Sequence, residues 1–169
     1  MTADGRHKRF ERWVGEYGAM VSRIASTYEA RPALAEELVQ ESFMGLWRAL
    51  PGFREEASAK TFVARITHNV CISHVRKAVK MPLGALDERM SDTAPRPDQL
   101  AEKSSERRAL LEAVRALPLQ NRQIVSLHLE GFSNSEIAEA LGFTEGNIAV
   151  RLTRARTKLK RMIGEKHDR

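Results

Sequence analysis

Residues 133–160 read SNSEIAEALGFTEGNIAVRLTRARTKLK. Ser133 and Glu136 stand in capping-box positions, where hydroxyl and carboxylate each satisfy a free amide at a helix start. The helix they begin should end at Gly142, the residue type best suited to a left-handed turn. Thr144 can cap a second helix, and Glu145 in its first turn suits the positive end of the dipole. Ala138 is small enough to let the two helices approach, and Ile148 anchors the second against the first. This is the outline of a helix-turn-helix. Turning Ile148, Leu152, Ala155 and Leu159 inward leaves Asn147, Val150, Arg151, Arg154 and Lys158 facing solvent or a groove. Arg can grip guanine edges or phosphates, Asn can pair with adenine, and Val can touch a thymine methyl. A solvated amphipathic hairpin is the plainer alternative, but cap, turn, anchor and basic face together predict DNA recognition.

Working back from this segment, apolar residues recur at helical spacing through Leu100, Leu110, Leu111, Val114 and Leu117. Pro118 breaks that run, and a shorter helix carries Ile124, Val125, Leu127 and Leu129 to Gly131. Before it, between Met81 and Asp98, the pattern lapses. Pro82, Gly84, Pro95 and Pro97 interrupt it, and Asp87, Glu88, Asp92 and Asp98 make it acidic, as expected of a solvated, flexible linker. The first half starts with Phe10, Trp13, Val14, Tyr17, Val21, Ile24, Ala25 and Tyr28, spaced as one face of a helix. A second helix from about Ala33 buries Leu38, Val39, Phe43, Leu46, Trp47 and Leu50 and stops at Pro51-Gly52. Phe53 to Lys60 reads as a loop. A third helix, Thr61 to Lys80, holds Phe62, Ile66 and Val70 in register. No stretch sustains a period of two. The expectation is an all-α chain of two small helical domains, 8–80 and 99–165, joined by a linker over 81–98, with domain motion about it.

The chain has 169 residues, 42% of them hydrophobic, enough for packed cores. Lys and Arg number 28 against 22 Asp and Glu, and the net charge of +6 favours a polyanionic partner. The distribution says more than the total. Arg151 to Arg161 holds six basic residues and no acidic one, while Glu29 to Glu41 carries four Glu against the single Arg31. An acidic face and a basic face can serve two different partners. Cys71 is the single cysteine, which excludes an internal disulfide framework and suits a reducing cytoplasm. Met1 to Phe10 lacks the apolar core of a signal peptide, and no apolar run approaches the roughly 18 residues that span a bilayer. No membrane insertion is expected.

Leu117-Pro118 through Lys160, with Gly131-Phe132-Ser133, Glu136-Ile137-Ala138, Leu141-Gly142 and Arg151-Leu152…Arg154-Ala155-Arg156…Leu159, resembles the promoter-binding C-terminal region of sigma-70-family factors. It is closest in kind to their compact extracytoplasmic-function (ECF) group. Ala35 to Phe43, followed by Leu46-Trp47-Arg48-Ala49-Leu50, resembles that family's polymerase-binding helix. Arg65-Ile66…Asn69 and Arg76-Lys77 resemble its promoter-melting helix. The resemblance spans roughly residues 10 to 162.

The resemblance implies a division of labour. Glu37, Leu38, Gln40, Glu41 and Trp47 would lie on or behind the surface that docks on core RNA polymerase. The loop Phe53 to Lys60 and Asn69 would help capture a flipped base of the −10 element, with His68 beside them. Arg65, Arg76, Lys77 and Lys80 would track phosphates of the opened strand. Thr144, Glu145, Asn147, Val150, Arg151, Arg154 and Lys158 would face the −35 duplex. Promoter DNA and core polymerase are the implied partners, with an anti-sigma factor as regulator; no small-molecule substrate or cofactor is implied. Phe62 stands where the family commonly has Trp, and Ala149-Val150 where Lys-Ser is commoner, so the −35 sequence preference is open.

His68, Cys71 and His74 form an H-x2-C-x2-H run, but three-residue steps drift around a helix and a fourth ligand is missing, so no metal is expected. Cys71 should be buried and the histidines should face solvent or DNA. No nucleophile–base pair or phosphate-cradling loop stands out, so no catalysis is expected. Two rival readings remain: a sigma mimic that sequesters an anti-sigma factor, and an autonomous helix-turn-helix regulator. The first should have lost the basic face of the last helix; the second leaves the Glu36–Leu50 motif unexplained.

Overall fold

The structure, a computed structural model, describes residues 2–80 and 101–168. Among them are seven α-helices and no strand: α1 (Ala3–Ser26), α2 (Pro32–Ala49), α3 (Ala59–Lys80), α4 (Ala101–Arg115), α5 (Leu119–Leu129), α6 (Asn134–Leu141) and α7 (Glu145–His167). The expected linker, 81–98, lies outside the described residues.

The first three helices pack on one another as one helical body. α1 begins seven residues before the first apolar position of its pattern. Thr2 caps it by accepting from the Gly5 amide, and Asp4 pairs with Lys8 one turn on at 2.7 Å. Pro32 opens α2, where its missing N–H is no loss. Leu34, Leu38, Ser42 and Leu46 descend its buried side in steps of four. After α2 a 3-10 turn, Leu50–Gly52, tucks Leu50 fully into the core. α3 is rotated from the expected register. Its buried stripe is Thr61, Val63, Ala64, Thr67, His68 and Cys71. Phe62, Ile66 and Val70 lie at the flank, half-buried. The rotation is possible because Thr67 satisfies its own hydroxyl on the Val63 carbonyl at 2.9 Å, so it can lie inside without an unpaired group. Ile66 then packs on Gly45 of α2, where an added Cβ would sit 3.3 Å from its methyl.

The second body follows its sequence closely. Ala113, Val114 and Leu117 meet Ile124, Val125 and Leu127, closed by Phe132, Ile137, Ala138, Ile148, Leu152 and Ala155. Arg122 ties the α4–α5 turn by donating to the carbonyls of Arg115 and Leu117.

The two bodies share a polar seam. The buried hydroxyls of Thr27 and Ser126 meet at 2.7 Å, and Arg115 Nε donates to the Ser26 carbonyl at 2.9 Å. Arg23 grips Glu130 with Nε and Nη2, each 2.9 Å from a carboxylate oxygen. Lys60 Nζ donates to the Glu130 carbonyl at 2.9 Å and lies 4.3 Å from the centre of the Phe132 ring. Arg122 lies over the Tyr28 ring at 5.6 Å.

Candidate nucleic-acid and polymerase interfaces

The helix-turn-helix forms as its local signals dictate. The Glu136 amide donates to the Ser133 hydroxyl at 3.1 Å, and the Ser133 amide to the Glu136 carboxylate at 2.7 Å. Gly142 turns the chain at φ 75°, a conformation that β-carbons disfavour. Thr144 accepts from the Asn147 amide at 3.2 Å, so its hydroxyl is a cap before it is anything else. Ile148, Leu152 and Ala155 then point into the core, each under a tenth exposed. Glu145, Asn147, Val150, Arg154 and Lys158 lie exposed on the outer side of α7. Val150 is half exposed and gives that outer side an apolar point of contact. Arg151 is the exception to a free basic face. Its Nε donates to Asn147 Oδ1 at 2.6 Å, its Nη1 donates to Gln120 Oε1 at 2.8 Å, and its guanidinium lies 5.1 Å from the centre of the Phe143 ring.

On α2, Glu37, Gln40 and Glu41 are exposed on one side, as expected. Leu38 is buried beneath them and Trp47 is half-buried: Arg6 lies 3.9 Å over its ring and donates to its carbonyl, while Phe10 meets it edge-on at 5.2 Å. Both therefore support the surface from behind. Met44 continues the exposed side at 51% exposure, a residue the sequence reading passed over. Glu29 does not belong to this acidic face. It is buried, bonded to Arg31 Nε at 2.9 Å and His74 Nε2 at 2.8 Å. Burial would raise its carboxyl, but the hydrogen bonds from Arg31 and His74 outweigh that and hold it down to about 2.

On α3, Arg65, Asn69, Arg76 and Lys80 recur at steps of four, seven and four, so they form one exposed stripe with Lys77 beside it. Phe53 is half-buried and turned inward, its ring 5.0 Å from Trp13 and 4.9 Å from Phe62. Glu55, at the tip of that loop, holds φ 54°, an uncommon conformation for a residue with a side chain. Lys60 is on the seam rather than free.

His68 corrects the expectation directly. It is 1% exposed, with Nδ1 2.6 Å from the Tyr28 hydroxyl and Nε2 enclosed without a partner. Burial lowers its pKa to about 3, so it is a neutral core side chain and cannot reach DNA. Cys71 is fully buried, as expected, and burial pushes its thiol up to about 12. His74 turns instead to Glu29, so neither histidine takes the solvent- or DNA-facing role expected of it.

An exposed basic helix locked into a helix-turn-helix, beside a second helical body with an acidic side and a basic stripe, defines a DNA-binding transcription factor. Comparison with known proteins agrees. The Sigma-70 region 2 family matches residues 13–80, and the Sigma-70, region 4 family matches 107–159. The ECF RNA polymerase sigma factor SigM of Mycobacterium tuberculosis is 26% identical over 161 residues, covering 95% of this chain and 80% of SigM. The RNA polymerase sigma factor YlaC of Bacillus subtilis is 27% identical over 138 residues, 79% of this chain and 80% of YlaC. In fold, the chain resembles the sigma factor RpoE, solved with the anti-sigma factor NepR from Bartonella quintana, at a TM-score of 0.74 and 24% identity, covering 93% of this chain and 98% of that one. It also resembles CnrH, solved with the cytosolic domain of CnrY, at a TM-score of 0.71 and 21% identity over 96% and 92% of the two chains. The chain belongs to the ECF group of the sigma-70 family. It is a transcription initiation factor that binds core RNA polymerase and directs it to promoter DNA. Among the described residues no helix is long and apolar enough to cross a membrane.

Proposed function

We propose that the two helical bodies divide promoter recognition between them. Residues 8–80 dock on core polymerase through Glu37, Gln40, Glu41 and Met44, with Leu38 and Trp47 as the packing beneath. The same domain takes the opened −10 strand along Arg65, Asn69, Arg76, Lys77 and Lys80, with Lys60 and the Phe53 loop at its edge. Residues 99–165 read the −35 duplex with Glu145, Asn147, Val150, Arg151, Arg154 and Lys158, while Thr144 fixes the start of the reading helix. The observation that carries this reading is α7 itself: a buried spine of Ile148, Leu152 and Ala155 behind an outer face of Asn147, Val150, Arg154 and Lys158. The protein works in the cytoplasm and has no catalysis of its own; bond formation belongs to the polymerase. An anti-sigma factor holds it inactive, a reading supported by the likeness in fold to RpoE, solved with the anti-sigma factor NepR.

The test is transcription by core polymerase plus this chain on a randomised promoter library. Enriched templates should share a −10 and a −35 element at fixed spacing; Arg154→Ala should weaken all −35 sequences alike, and Asn147→Ala should relax the preference among them. A library that yields no shared element, with the chain bound to polymerase, would sink the reading.

A further inference from the structure

Arg151 is held by neutral groups alone, as Arg6, Arg115 and Arg122 are, but it is the one of these that stands on α7. Arg23 and Arg31 are each held by a carboxylate, Glu130 and Glu29. Arg151 is held by the amide oxygens of Asn147 and Gln120 and by the face of Phe143. All three are neutral, so the guanidinium is fixed without its charge being cancelled. The two hydrogen bonds engage Nε and one hydrogen of Nη1. Of the five donors of a guanidinium, this leaves one Nη1 hydrogen and both on Nη2 for a guanine edge or a phosphate.

The two amides are not equivalent. Asn147 lies one turn earlier on the same helix, so its contact is local. Gln120 lies at the start of α5, outside the α6–α7 unit, and reaches Arg151 across 31 residues of sequence. A prop from a second helix fixes the side chain in space, and side-chain freedom lost before binding is not lost on binding. We infer that Gln120 is a positioning residue for −35 recognition, holding the Arg151 guanidinium toward DNA while leaving its charge free. This rests on the reading of α7 as the −35 helix.

The experiment measures promoter affinity of the reconstituted holoenzyme, over a range of salt, for Gln120→Ala, Gln120→Glu, Arg151→Ala and the double variant Gln120→Ala/Arg151→Ala. Gln120→Ala should weaken binding about three- to tenfold with thermal unfolding unchanged, and should have no further effect once Arg151 is Ala. Gln120→Glu keeps an acceptor of the same reach but adds a negative charge. It should weaken binding and lower the salt slope by about one. Equal loss from Gln120→Ala with and without Arg151 would mean that Gln120 acts on its own, and would overturn the inference, as would no loss at all. If Arg151→Ala is silent while Arg154→Ala and a scrambled −35 element each weaken binding, the Gln120 role falls and the α7 reading stands. If all three are silent, both fall.

Discussion

His68 is the residue whose surroundings differ most from what its sequence neighbours suggest. It sits inside α3 with Tyr28 on one nitrogen and nothing on the other. Cys71 on the same stripe is protonated, and the Tyr28 phenol, its pKa raised by burial, offers no charge to compensate an imidazolium. The folded state therefore excludes a proton that the unfolded chain binds below 6.5, since the folded pKa is about 3. Stability is fully present above 6.5 and falls as pH drops toward 3, by at most about 1.4 kcal/mol per pH unit. Glu29 adds a loss of the same sign between 4.5 and about 2. Urea unfolding of His68→Gln should show a shallower loss between pH 6.5 and 5 than the parent; an unchanged profile would mean that His68 does not control it. The sequence carried part of this. Thr61, Ala64, His68 and Cys71 follow three- and four-residue steps, but only if Thr and His are allowed inside. The apolar trio Phe62, Ile66 and Val70 drew the register about a third of a turn away.

At the scale of elements, the helices with chemical punctuation were legible and those without were not. Ser133, Glu136, Gly142 and Thr144 act on amides within a turn of themselves, so α6 and the start of α7 could be read residue by residue. Replacing Ser133 with Ala should cost about 1 kcal/mol in chemical denaturation, because the Glu136 amide loses the hydroxyl that accepts from it. The first two turns of α1 are mostly polar, with no apolar periodicity to announce them. What holds them is Arg6 over Trp47, a contact 41 residues distant in sequence. Met44 was missed because an isolated Met among polar neighbours reads as noise until its helix face is known. On the proposed docking side of α2, Met44→Asp should weaken binding to core polymerase at least as much as reversing Glu37 and Glu41 to Lys. Buried apolar contacts outweigh solvent-exposed charge pairs at such surfaces. Circular dichroism should be unchanged for each variant, since none of the three side chains is buried.

The whole molecule is where the sequence said least. It gave two bodies and a break between them, but nothing in a linear pattern announces that Thr27 will meet Ser126 or that Arg23 will find Glu130. The seam's ion pair joins a half-exposed Arg23 to a Glu130 side chain only 9% exposed, so it is partly screened by solvent. The buried hydroxyl pair is the more demanding contact, since neither group has water to fall back on. Ser126→Leu should overfill that spot and part the bodies. Spin labels at Gln40 and Lys158 should report a longer, broader distance distribution while total helicity holds. An unchanged distribution would show that the seam does not depend on this pair.

Lys60 gives the seam a thermodynamic side. Lys60 holds the Glu130 carbonyl across the seam; if, as proposed, it also takes a strand phosphate lying away from that carbonyl, the two states compete for it as two ligands compete for a single receptor. The competitor is carried by the same chain, so its effective concentration does not fall on dilution. In that case whatever strengthens this contact weakens strand capture, and melted DNA loosens the seam in return. Lys60→Gln then acts on both sides of this balance at once, freeing the bodies while removing a phosphate contact. Its net effect on open-complex formation should be smaller than that of Arg65→Gln, which has no such debt to the seam.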